Sequence, residues 1–124
     1  MGKTILHADD SPSVRRWVAE QLNEMEGVKV VSVADGDDAL QVLKESPFDL
    51  LLTDLEMPRL DGLALTSAVR ELPHYRFLPV LIFSSRHPND VEPERKHGVN
   101  VTGWITKPIE PDDLRRWVKR LLPR

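Results

Sequence analysis

Thr4-Ile5-Leu6-His7-Ala8-Asp9-Asp10-Ser11-Pro12-Ser13-Val14 opens with a short run of apolar and branched side chains, passes through two carboxylates, and ends in a helix-start signal. Ser11 can cap a helix, and Pro12 fits the first helical position, where no backbone N–H is needed. Val14, Trp17, Val18, Leu22 and Met25 then recur at the spacing of one helical face, and Gly27 offers a stop. A strand thus feeds a helix through an acidic loop.

The same unit repeats along the chain. Runs rich in branched residues at 4–6, 28–33, 50–53, 80–83 and 103–106 read as five strands. Three of them are nearly unbroken apolar stretches, which suits strands covered on both faces of a parallel sheet. Between them, 36–44 forms a helix with Ala39, Leu40 and Leu43 inward, and Asp61 caps another that carries Leu65, Ala68, Val69 and Leu72. A last helix starts at Pro111 and buries Leu114, Trp117 or Val118, and Leu121, with Glu110 a poor cap before it. The segment 84–101 carries Pro88 and Pro93 and little apolar periodicity, so only a short or irregular helix is expected, near 91–97. Alternation of strand and helix predicts a doubly wound α/β domain with right-handed crossovers and helices on both faces of the sheet.

With 124 residues the chain has the size of one domain, assigned to 1–124, and can bury a core without disulfides. The absence of cysteine removes thiolate metal sites and thiol catalysis. No signal-peptide or membrane-spanning run precedes the first carboxylates, so a cytoplasmic protein without membrane insertion is expected. A net charge of −3, with both signs interspersed, gives no field for nucleic acid.

Ligands of doubly wound sheets bind at the carboxyl ends of the strands. Those ends carry Asp9 and Asp10 on the first strand, Asp54 on the third, Ser84 and Ser85 on the fourth, and Lys107 before Pro108 on the fifth. Clustered carboxylates raise one another's pKa unless a cation or proton neutralises them, and an all-oxygen donor set suggests magnesium or manganese. A carboxylate can also attack phosphorus to give an aspartyl phosphate, with Lys107 and Ser84 placed to bind the phosphoryl oxygens. Alone, Asp-Asp-Ser-Pro reads as a turn and cap, Asp54 as a turn acid, and Lys107-Pro108 as a solvated turn. Together those plain readings require four strand ends to present complementary groups by accident. His7, His74, His87 and His97 show no ligand spacing and read as surface or hydrogen-bonded histidines.

Across nearly its whole length the sequence resembles the receiver domains of two-component response regulators. The resemblance is carried by Ile5-Leu6 with Asp9 to Arg15, Ala34-Asp35-Gly36-Asp37-Asp38-Ala39-Leu40, Thr53-Asp54-Leu55-Glu56-Met57-Pro58-Arg59-Leu60-Asp61-Gly62 and Gly103-Trp104-Ile105-Thr106-Lys107-Pro108. Leu72-Pro73, Pro79-Val80-Leu81 and Gly103-Trp104 are most similar to single-domain chemotaxis regulators of the CheY type. The resemblance implies a flavodoxin-like strand order of 2-1-3-4-5 and a phosphoacceptor role for Asp54. It implies that Asp10, Asp54 and the backbone carbonyl of Glu56 bind Mg2+, with Asp9 acting through water, and that Ser84 and Lys107 contact the phosphoryl group across a cis Lys107-Pro108 peptide. It makes Ser84 and Trp104 the switch pair, with an interior or interface tryptophan as the other reading of Trp104. Glu56 and Arg86 would face each other across the pocket mouth and set how long the phosphoryl group survives.

The implied function is a phosphorylation-dependent switch that is no turnover enzyme. A histidine kinase would be its phosphodonor, and a downstream protein, such as a motility component, its target. The sequence departs from the family pattern at His7-Ala8, where an aliphatic pair is usual, at Ser84 in place of threonine, and after Ser85. Other classes fit less well. An aspartyl phosphatase needs a second aspartate two residues after a strand-end Asp, in an Asp-x-Asp form that Asp9, Asp10 and Asp54 lack, and a flavodoxin-like carrier needs a phosphate loop where this chain has acids. A degenerate receiver that only binds proteins would not need every chemical position filled. A receiver excised from a larger regulator is the remaining alternative.

Overall fold

The computed structural model describes residues 2–123. The elements in chain order are β1 (Lys3–Ala8), α1 (Pro12–Asn23), β2 (Val28–Val33), α2 (Gly36–Glu45), β3 (Leu50–Thr53), α3 (Gly62–Arg70), β4 (Val80–Ser84), α4 (Pro93–Lys96), β5 (Gly103–Thr106) and α5 (Pro111–Leu121). The five strands form one parallel sheet in the order β2-β1-β3-β4-β5, as the resemblance implies. Ile5 lies opposite Val30 and Leu50, and Leu51 lies opposite Val80, so β3 sits mid-sheet with all four residues buried.

Alternation along the strands divides the core into two layers. Leu6, Ala8, Leu51 and Val80 pack with Ala39, Leu43, Leu65 and Val69 of α2 and α3. Ile5, Leu50, Leu52, Leu81 and Ile105 pack with Val18 and Leu22 of α1 and Leu114 and Val118 of α5. Two covered faces explain why these strands read as unbroken apolar runs. Among the described residues, no helix is long and apolar enough to cross a membrane.

Several ends differ from expectation, three of them instructively. α1 stops at Asn23, four residues before Gly27, because the Asn23 side-chain oxygen accepts the Val30 N–H and ties the helix end to β2. Met25 still packs on the apolar layer, and Gly27, at φ 76°, makes the left-handed turn into β2. α3 ends at Arg70, and Leu72 is extended at ψ 126° because Pro73 follows it. Even so, Leu72 covers the α2–α3 layer. β1 runs to Ala8 rather than Leu6, which keeps His7 in the strand and puts Asp9 directly at its carboxyl end.

Candidate phosphoryl-transfer site

Parallel pairing brings the strand ends to one rim, and local hydrogen bonds then aim their side chains. The Asp54 N–H donates to the Ala8 carbonyl at 2.8 Å, which sets the end of β3 against the end of β1. Ser11 caps α1 through Val14, and its own N–H donates to Asp9 Oδ1 at 2.9 Å. Arg15, one turn into α1, donates to the Asp9 carbonyl at 2.7 Å, a contact with no sequence signal of its own. Gly62 packs beneath the Asp54 backbone so closely that a Cβ there would meet the Asp54 carbonyl oxygen, so only glycine fits.

Asp9, Asp10 and Asp54 each present a carboxylate oxygen within 4.8 Å of the others. Asp9 is buried, Asp54 half-buried and Asp10 exposed. Lys107 Nζ lies 3.1 Å from Asp9 Oδ2 and 3.7 Å from Asp54 Oδ1, over the face of Phe83. Its backbone N–H donates to the Ser84 carbonyl, and the Lys107-Pro108 peptide is cis, as expected. Ser84 is buried at the end of β4, and its Oγ accepts the Arg86 N–H at 3.1 Å.

Burial pushes the Asp54 carboxyl up to about 6, with Asp9 and Asp10 adding to the rise while Lys107 and the Leu55 N–H oppose it. A carboxyl whose folded pKa is raised binds its proton more tightly in the native state, so its contribution to stability is lost as pH rises through the folded value. For the metal-free protein, the melting-temperature difference between wild type and Asp54→Asn should therefore fall between pH 3.8 and about 6. A difference independent of pH would show that Asp54 titrates as an ordinary aspartate.

At the mouth, Glu56 Oε1 accepts from Arg86 at 3.0 Å and from Arg95 at 3.4 Å. The Glu56–Arg86 contact that the resemblance implies is therefore present. Arg95 was missed, because it stands on the four-residue α4, where no periodicity points to it, and it also pairs with Asp61 at 3.0 Å. The Arg86 guanidinium donates to the Asp90 carbonyl, and the Arg86 carbonyl accepts the Trp104 indole N–H at 2.9 Å. Trp104 is half-buried against Leu55, Leu63, Ile82 and Val91, so the interior reading of this residue is met along with a link to Arg86.

His7 corrects the sequence reading. It is wholly buried rather than on the surface, and neither ring nitrogen has a hydrogen-bond partner among the described residues. Burial, then Lys107 and Arg15, pull its pKa down to about 3, which keeps the imidazole neutral.

The three acids suit a hard divalent cation, since the donors are all oxygen and each presents a carboxylate oxygen close to the others. Comparison with known proteins gives the context. Residues 5–119 match the response regulator receiver domain family. The chain is 31% identical over 124 residues to the signal transduction histidine-protein kinase BarA of Shigella flexneri, covering 99% of this chain but only 13% of that kinase. It superimposes on the chemotaxis response regulator CheY4 of Vibrio cholerae with a TM-score of 0.88 and 32% identity, covering 98% of this chain and 100% of CheY4. The response regulator TrrA of Thermotoga maritima, solved in complex with Mg(2+)-BeF, gives a TM-score of 0.81 at 26% identity, covering 97% of this chain and 99% of TrrA.

Proposed function

The chain belongs to the response regulator receiver domain family of two-component signalling, and on that premise we propose that it is a phosphorylation switch in which Asp54 accepts the phosphoryl group. The observation that carries this reading is the Lys107 ammonium lying between Asp9 and Asp54 beside three convergent carboxylates. A histidine kinase is the proposed phosphodonor. An Asp54 oxygen forms a bond to phosphorus as the phosphorus–nitrogen bond to the donor histidine breaks, and that nitrogen keeps the electron pair. Lys107 turns from Asp9 to the incoming phosphoryl oxygens, and the Ser84 hydroxyl binds another.

Asp10, Asp54 and the Glu56 carbonyl would hold magnesium, with Asp9 acting through water; manganese would suit the same oxygen donors. The bound cation would neutralise both the carboxylates and the developing phosphoryl charge. The domain catalyses no turnover of its own beyond gain and loss of this group. It would work in the cytoplasm and act on a downstream protein, such as a motility component, through the surface around Trp104. That reading draws on the chain Ser84–Arg86–Trp104, in which the Arg86 N–H donates to Ser84 Oγ and the Arg86 carbonyl accepts from Trp104. TrrA's Mg(2+)-BeF complex supports the choice of magnesium. The test is uptake of one phosphoryl group from acetyl phosphate, read by intact mass, in magnesium and not in excess chelator. No uptake in either condition would leave a protein-binding receiver without the chemistry.

Lifetime of the phosphoryl group follows from the mouth. Glu56 and Arg86 are exposed enough, at 54% and 32%, that their pair contributes only about 0–1 kcal/mol to stability. Their role is to shield phosphorus from in-line water. Glu56→Asn and Arg86→Ala should each shorten the lifetime, with the double variant adding less than the two single effects combined. Unchanged lifetimes in both single variants would remove the gate and leave Asp54 as acceptor.

A further inference from the structure

Among the described residues, His7 is the buried side chain whose polar atoms find no hydrogen-bond partner. It stands in β1 two residues before Asp9, on the same side of the strand, and is wholly shielded from solvent. Its Nε2 lies 4.0 Å from Asp9 Oδ2, about 1 Å beyond ordinary hydrogen-bond length. Among the described residues neither ring nitrogen has a hydrogen-bond partner, so the imidazole carries a desolvation cost that an aliphatic side chain would avoid. The ring is neutral, with one N–H to give, and the Asp9 carboxylate favours that proton on the nitrogen facing it.

The oxygen that His7 faces is the one that stands to lose its donor. Asp9 is buried; its Oδ1 takes the Ser11 N–H, and its Oδ2 takes Lys107 Nζ at 3.1 Å. The same ammonium is 3.7 Å from Asp54 Oδ1, within reach of a small rotation. A lysine that turns to a phosphoryl group on Asp54 releases Asp9 Oδ2, and beside any metal-bound water the nearest protein donor left to that buried oxygen is His7.

We propose that His7 is a positioning residue, its Nε2–H becoming the donor to Asp9 Oδ2 when Lys107 turns to the phosphoryl group on Asp54. The inference rests on the phosphorylation reading above. His7 keeps its protonation state throughout; only the Nε2 to Oδ2 distance changes. Asp9 thereby keeps its place while the lysine changes partners.

Unfolding and labelling test this together. His7→Leu and His7→Gln are made in the wild-type chain and in Lys107→Ala, and metal-free melting is measured at neutral pH. In the wild-type chain His7→Leu should leave the melting temperature unchanged or higher, since Lys107 still holds Asp9. In Lys107→Ala it should lower the melting temperature by about 4 °C or more, whereas His7→Gln, which retains a donor, should not. Labelling by acetyl phosphate with magnesium should slow about tenfold in His7→Leu and stay within about twofold in His7→Gln. Equal melting shifts from His7→Leu in both backgrounds, or equal labelling of His7→Leu and His7→Gln, would overturn the role. Labelling absent from the wild-type chain would overturn the phosphorylation reading and this inference with it, whereas normal wild-type labelling with no difference between the two His7 variants overturns the inference alone.

Discussion

Magnesium at a hundred times its dissociation constant should raise the unfolding free energy by about 2.7 kcal/mol, a shift of roughly 10 °C in melting temperature. The effect follows from Asp9, Asp10 and Asp54 crowding their oxygens within 4.8 Å while Lys107 supplies one positive charge between two of them. A cation that binds only the native arrangement stabilises it by mass action, since the unfolded chain separates these residues. Asp10→Asn combined with Asp54→Asn removes two of the charged donors, and the magnesium shift should disappear. That double variant should also melt higher than wild type without metal, because the like-charge repulsion goes with the charges. A full magnesium shift in the double variant would place the cation elsewhere.

Lys107→Ala should slow phosphoryl uptake about a hundredfold or more, the usual consequence of removing a fixed cation from the place where negative charge develops. The ammonium is held over Phe83 and between two carboxylates, and the Ser84 carbonyl fixes its backbone, so it is oriented before any ligand arrives. Its loss also removes the main influence holding the Asp54 pKa down, leaving less of the nucleophilic carboxylate near pH 6. Raising the pH should recover that second part and leave the first. Single-turnover labelling read by intact mass separates them, and a rate within twofold of wild type at every pH would deny Lys107 its role.

Much of this arrangement was legible in the sequence because strand ends of a parallel sheet must meet. Asp9, Asp54, Ser84 and Lys107 each follow or end an apolar run, and pairing of β1 with β3 and β4 with β5 carries them to one rim. Helix starts were readable for a similar local reason: Ser11 and Asp61 accept from the N–H three residues on, as capping residues do. Helix ends were less so. Gly27 signals a left-handed turn, but the stop at Asn23 depends on its bond to Val30, a partner in another element.

The residues that escaped the sequence reading act through tertiary placement. His7 looked like any unspaced histidine, and its isolation emerges only when α1 and α5 close over β1. Arg95 belongs to a single helical turn, and in the sequence it looks like solvated charge until the fold sets it against Glu56 and Asp61. Trp104 offered interior and switching roles, and the fold gives it a half-buried ring with a bonded N–H.

Whether Asp54 is the phosphoacceptor is decided by locating the phosphoryl group by peptide mass after treatment with acetyl phosphate and magnesium. One phosphoryl group per chain is expected, carried on the peptide containing Asp54, and none on Asp54→Ala under the same conditions. Labelling of Asp54→Ala at the wild-type rate, or a phosphoryl group found on any other residue of the wild-type chain, would contradict that assignment.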